Sequence, residues 1–170
     1  MHADRLRYSA GNCSIARTLG VVGEKWTLLI LREAFYGVRR FDDFHATLGC
    51  ARNLLAERLK TLLMHGILER VAYQDERARG RHEYRLTDKG HDLFPALVAL
   101  MKWGDQWTAD DAGPAVRLFH RDCGEPVTVE LTCAAGHASL GARDTEAVPG
   151  SGAISIAWSS DPGEHLDHPQ

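Results

Sequence analysis

No stretch of the chain approaches the ~18 consecutive apolar residues of a membrane-spanning helix, and the opening MHADRLRYSAG has no apolar signal core. These two absences point to a cytoplasmic address and to no membrane partner. Cysteine is scarce: four residues, at 13, 50, 123 and 133, in a chain of 170. In a reducing compartment they are expected to stay thiols rather than form a disulfide framework. No unit repeats at solenoid length. Neither sign of charge dominates, because 20 Lys+Arg meet 23 Asp+Glu. The small acidic excess is unevenly placed, however. Residues 1–110 hold 17 basic against 14 acidic residues, a net of +3, and residues 111–170 hold 3 against 9, a net of -6. An anionic partner would be better received by the first part.

What is present is the composition of an ordinary globule, 44% hydrophobic and 25% charged. Residues 1–11 read as a loose arm. A short apolar-periodic helix follows from Cys13 to Val22, with Asn12 placed to cap it. EKWTLLILREAFYG is a second helix closed by Gly37, and RRFDDFHATLG a short third one with Phe41, Phe44 and Leu48 inward. In CARNLLAERLKTLLMHGIL, Leu55, Leu59, Leu62 and Leu63 fall on one helical side. Asn53, Glu57, Lys60 and Thr61 fall on the other, with Arg52 and Arg58 on the flanks. ILERVAYQ and RHEYRLT then alternate as strands do, joined by an arginine-bearing tip. Thr87 suits a helix cap, and Leu93, Leu97, Leu100 and Trp107 carry a last helix, which Pro95 either starts or kinks.

From Asp110 the composition changes. Ala112-Gly113-Pro114 reads as a linker, and LFHRDCGEPVTVELTCAAGHASL as short strands with turns. EAVPGSG opens a tail that holds one more strand candidate, AISIAW. The expected architecture is mainly α with a β-hairpin wing, a winged helix-turn-helix, plus a small β-rich C-terminal appendage. The expected divisions are the winged helix-turn-helix domain over 1–110, the appendage, with a zinc-ribbon-like unit as one reading, over 111–150, and a tail over 151–170.

A short helix, a glycine and a longer helix, followed by a hairpin, suit that winged version. In it the second helix of the pair enters the major groove by its N-terminal part. This gives the polar side of the fourth helix a task. Asn53 can pair with adenine, Glu57 can accept from cytosine, and Arg52 and Arg58 can reach guanine or a phosphate. Arg39 and Arg40, just before the third helix, are either backbone contacts that set register or plain surface charge. Arg77, Arg79 and Arg81 at the hairpin tip either track phosphate and the minor groove or form a solvated loop with Asp75 and Glu76.

Several stretches together resemble the HxlR family, winged-helix transcription regulators related to the MarR group. They are GEKWTLLILREAFYGVRRFDDFHATLG, LLAERLKTLLMHGIL and YRLTDKGHDLFPALVALMKW, spread from about Cys13 to Trp107. The most specific pieces are Lys25-Trp26, the RRF at 39–41, the Leu55…Arg58-Leu59 spacing and EYRLTDKG at 83–90. The resemblance implies a homodimer joined through the first and last helices and bound to an imperfect palindrome of double-stranded DNA, with no cofactor needed for that binding. The last helix agrees on its own account: Leu93, Leu97 and Leu100 form one apolar stripe and Phe94, Val98 and Met101 a second, one for the domain and one for a partner. Two departures stand out. The family usually has Ser where this chain has Ala51, and the wing tip is longer and more charged than usual.

The resemblance also places Cys13 where several such regulators carry a cysteine that senses oxidants or electrophiles. At a helix N-terminus the dipole favours thiolate. The other reading is a small apolar residue at a dimer contact. Cys50 reads as packing. His120-x2-Cys123 and Cys133-x3-His137 have spacing compatible with a structural zinc ion, and a metal-free appendage is the alternative. An enzyme built on that cluster lacks a nucleophile motif and the His-x-Glu of zinc deaminases. The remaining alternative to a regulator is a winged-helix adaptor that binds protein and not DNA. Neither the effector nor the operator is legible.

Overall fold

The structure, a computed structural model, describes residues 8, 9, 11–72 and 82–156. Its helices are α1 (Ser14–Val22), α2 (Lys25–Phe35), α3 (Phe41–Leu48), α4 (Arg52–Met64), α5 (Asp88–His91) and α6 (Phe94–Trp107). The strands β1 (Leu68–Ala72) and β2 (His82–Leu86) lie between α4 and α5 and pair antiparallel, from Leu68 opposite Leu86 to Ala72 opposite His82. No helix among the described residues is long and apolar enough to cross a membrane.

The core is where the apolar spacing of three helices and the root of the hairpin converge. Ile30 and Leu31 of α2, Phe44 of α3, Leu55, Leu59 and Leu62 of α4, and Leu68 of β1 are all at most 1% exposed. Phe41, Leu48 and Leu63 are partly buried against this cluster. Cys50 is buried in it, as packing requires. Truncating one of these leucines to Ala would cost about 2–5 kcal/mol, the range for a side chain that leaves a cavity.

The turn between α3 and α4 depends on Gly49, whose φ of 64° lies in the left-handed region that a β-carbon disfavours. The next fixed point is the TDKG segment. Thr87 accepts from the Gly90 amide at 3.1 Å and donates to the Gly66 carbonyl at 2.6 Å. Lys89 donates to the His65 carbonyl at 2.8 Å. One short motif therefore caps α5 and ties the end of α4 to the wing. Gly90 allows the close approach, since a β-carbon there would stand 2.3 Å from the Ile67 carbonyl oxygen.

Three expectations need correction, and one left open, the place of Pro95, is decided. Asn12 does not cap α1: Cys13 is the N-cap residue and its side chain makes no capping bond, and the Asn12 amide donates instead to the Gly152 carbonyl. The arm is not wholly loose, because Ser9 donates to Ile154 at 2.9 Å and Tyr8 bridges Ser155. Those bonds tie the start of the 151–170 tail to the N-terminal arm. Pro95 lies in the first turn of α6, where it breaks no helical bond. The stripes of α6 also divide differently. Val98 is 3% exposed and Leu97 packs on the core, whereas Leu100, Trp103 and Trp107 are 57%, 61% and 66% exposed. At 3.6 residues per turn Leu100 falls about 160° around the helix from Val98, and it stands with the two tryptophans outside.

Beyond the Gly113 linker, the appendage consists of hydrogen-bonded turns rather than full strands among the described residues. One hairpin-like turn is held by Phe119 bridging Pro126 and by His120 donating to Glu125 at 2.8 Å. Another is held by Cys133 donating to His137 at 3.0 Å and Leu140 to Leu131 at 3.1 Å.

Candidate nucleic-acid interface

The outer side of α4 begins at Ala51, which supplies no capping bond. The first-turn amides of this helix therefore face outward without a side-chain acceptor, the arrangement that receives a phosphate oxygen. Asn53, Ala56, Glu57 and Lys60 are exposed along the helix. Among the described residues the Asn53 side chain has no hydrogen bond, so its amide is available to a ligand. Burial of Leu55, Leu59 and Leu62 fixes the rotation of the helix, and that rotation presents Asn53 and Glu57 to solvent.

The arginines divide by what holds them. Arg52 donates to Asp42 at 2.8 Å and stacks over the Phe41 ring at 4.8 Å, which joins the start of α4 to α3. Arg58 is held between two carboxylates. Its side chain is 22% exposed, 3.8 Å from Glu24 and 3.9 Å from Glu57, and its Nε is buried without a partner. It braces α4 against the start of α2. Arg39 and Arg40 approach Glu83 of β2, each at 4.0 Å. Arg77, Arg79 and Arg81 lie outside the described residues.

Glu83 also holds Arg85, at 3.0 Å. Three guanidinium groups, 44–52% exposed, thus surround one carboxylate that is 15% exposed. The group has a net charge of +2 on the surface at the junction of wing and α3, where it can meet an anionic backbone. The hydrogen bond from the Tyr84 amide to the Arg39 carbonyl, at 2.7 Å, fixes the junction itself. Arg85 was missed from sequence. Its signal was present, because alternation on β2 with Tyr84 inward places Glu83 and Arg85 on the same side.

Cys13 sits half-buried at the N-cap of α1, as its position in the sequence suggested. The His/Cys set is brought together only in part. His120 Nδ1 lies 3.2 Å from Cys123 Sγ, and Cys133 Sγ lies 3.3 Å from His137 Nδ1. Two ligands of one tetrahedral zinc stand about 3.5 Å apart by the usual bond lengths, so each pair alone has suitable spacing. The two pairs do not join. Among the described residues no group of three or more His, Cys, Asp or Glu is close enough to hold a metal ion. The physical reason is local: each pair belongs to its own turn, and no residue of the described appendage is buried to pack the turns together.

Comparison with known proteins agrees with this geometry. The family model for the HxlR-like helix-turn-helix matches residues 21–112. The chain is 46% identical over 139 residues to the uncharacterized HTH-type transcriptional regulator Rv3095 of Mycobacterium tuberculosis, covering 82% of this chain and 87% of that protein. The crystal structure of PA1607, a candidate transcription factor, is similar with a TM-score of 0.72 and 41% identity, covering 81% of this chain and 95% of the other. The reduced form of the transcriptional regulator YodB from B. subtilis is similar at a TM-score of 0.50 and 28% identity, covering 58% and 97%. The family and these relatives are transcription regulators and not enzymes. The chain belongs to the HxlR-like helix-turn-helix family and is a transcriptional regulator of that type.

Proposed function

We propose that this regulator acts as a homodimer that binds double-stranded DNA at an imperfect palindrome. Asn53 and Glu57 read base edges in the major groove, and Arg39, Arg40 and Arg85 contact the flanking phosphates. The observation that carries the reading is the exposed polar side of α4, with its unbonded Asn53 and uncapped first turn beside a net-positive arginine group. Phosphate contacts orient such a protein, and base contacts discriminate. One subunit reading a few base pairs discriminates weakly against a genome; two recognition helices about 34 Å apart multiply the discrimination.

Support for the dimer comes from apolar side chains that a lone chain leaves in water. Ile15 and Leu19 on α1 are 71% and 55% exposed, and Leu100, Trp103 and Trp107 stand out from α6. Burying such a patch between two copies is favourable. Cys13 is the N-cap of the same α1, two residues before Ile15, so oxidation or adduct formation there would change the surface that meets the partner. We take an oxidant, electrophile or small-molecule effector as the signal. The test is a gel shift on genomic fragments with purified protein over a range of salt. Selective binding that weakens steeply with salt is expected. Binding that is indifferent to sequence or salt would favour the protein-binding adaptor instead.

A further inference from the structure

Between α2, α6 and the linker after α6 lies a cavity of about 470 Å³. This is within the range of small-molecule sites. Its walls are apolar and partly aromatic: Phe35 and Phe94 stand with ring centroids 5.0 Å apart, and Val98 and Met101 line the α6 side. Leu118, beyond the linker, contributes to the lining as well.

The polar groups have an unequal balance of charge. Among the described residues Arg32 is the one basic residue in the lining, and Glu33 neutralises it through bonds of 2.8 and 2.5 Å to a single carboxylate oxygen. Asp105 and Asp110 also line the cavity. Among the described residues the half-buried Asp105 carboxylate has no hydrogen bond and no ion pair. The Tyr36 hydroxyl, among the described residues, meets only the weak acceptor Met101 Sδ, at 3.9 Å. Burial holds the Tyr36 phenol above its ordinary pKa; Arg32 pulls it back, and the Glu33 and Asp105 carboxylates push it up again. A carboxylate left unpaired at an apolar cavity is costly, and a cation among aromatic rings would offset that cost.

We infer that this cavity binds a lipophilic organic cation, with its charge at Asp105 and its apolar groups between Phe35, Phe94 and Val98. The site also sits where binding can be transmitted. The α2 helix packs Ile30 and Leu31 into the core that holds the recognition helix. The opposite wall, α6, carries Trp103 and Trp107 on its outer side, with Leu100 at the edge between them and the cavity. A ligand wedged between the two helices would change the angle between the reading unit and the dimer face, and with it the spacing of two recognition helices. That last step rests on the proposed DNA-binding dimer; the binding step does not.

Two ions of the same shape and opposite charge test it. Tetraphenylphosphonium and tetraphenylborate are titrated into the full chain by calorimetry, in sodium buffer and without DNA. The phosphonium should bind once per chain and at least about tenfold more tightly than the borate. Asp105→Asn, nearly isosteric, should abolish that preference, and Met101→Trp, which fills the cavity, should weaken both ions while circular dichroism stays unchanged. Equal affinity for the two ions, no binding of either, or a preference that survives Asp105→Asn would overturn the site. Phosphonium binding as expected with operator affinity unchanged would overturn only the transmission. A chain that binds the phosphonium and no DNA fragment would defeat the DNA reading and leave the site standing.

Discussion

Replacing Asn53 by Ala separates reading from folding more cleanly than any other change on this surface. The side chain is exposed and has no hydrogen bond among the described residues, so its removal takes no contact from the fold. Ala is also the better helix former, by about 0.5 kcal/mol, and the melting temperature should therefore hold or rise slightly. On DNA the arithmetic runs the other way. A bidentate contact from Asn to adenine discriminates by about 1–3 kcal/mol, and a dimer makes it twice, so about 2–6 kcal/mol is lost. The lower bound already corresponds to about 30-fold in affinity. The assay is fluorescence anisotropy at one fixed salt concentration, on a duplex selected by the parent protein, with base preference mapped by single substitutions. Selective loss at one position in each half-site is expected. Affinity within about threefold of the parent with the same base preference would refute the placement of α4 in the groove. So would a weakening that merely follows a lowered melting temperature.

Four further outcomes follow from the geometry. Arg85→Ala should reduce the dependence of log K on log salt by about 0.9 per half-site, with little effect on base preference; an unchanged slope would remove Arg85 from the phosphate contacts. Trp103→Glu should leave the melting of the subunit nearly unchanged, since the ring is 61% exposed. It should move the particle from dimer to monomer in sedimentation velocity, and a parent protein that sediments as a monomer would end the dimer reading. Cys13→Ser should bind DNA while ignoring diamide or a quinone, and an unaltered response in that variant would place the sensor elsewhere. With the two His/Cys pairs apart as they stand, protein purified without added zinc should carry well under one equivalent, and Cys123→Ala should melt like the parent. One equivalent that disappears in that variant would mean the two turns close on a metal.

The sequence by itself determined a good deal of this protein, for a local physical reason. Apolar spacing on α2, α3 and α4 specified which sides are buried, and so made Asn53 and Glu57 outward-facing before any coordinates. Gly49 and Thr87 marked a turn and a cap because few other residues suit those backbones. Alternation in 68–72 and 82–86 marked the hairpin. Only the tertiary structure decided matters that depend on groups distant along the chain. Arg58 is braced against the start of α2 because Glu24, 34 positions earlier, lies beside it. Arg85 joined Arg39 and Arg40 because the wing folds back on the turn before α3 and brings Glu83 between them. Leu100 proved external because the axial rotation of α6 is set by what α2 offers Val98 and Leu97. The cavity at Asp105 is likewise a space between helices, with no periodic trace in either one. Periodicity reports how a helix divides into sides; which neighbour each side meets is settled by packing alone.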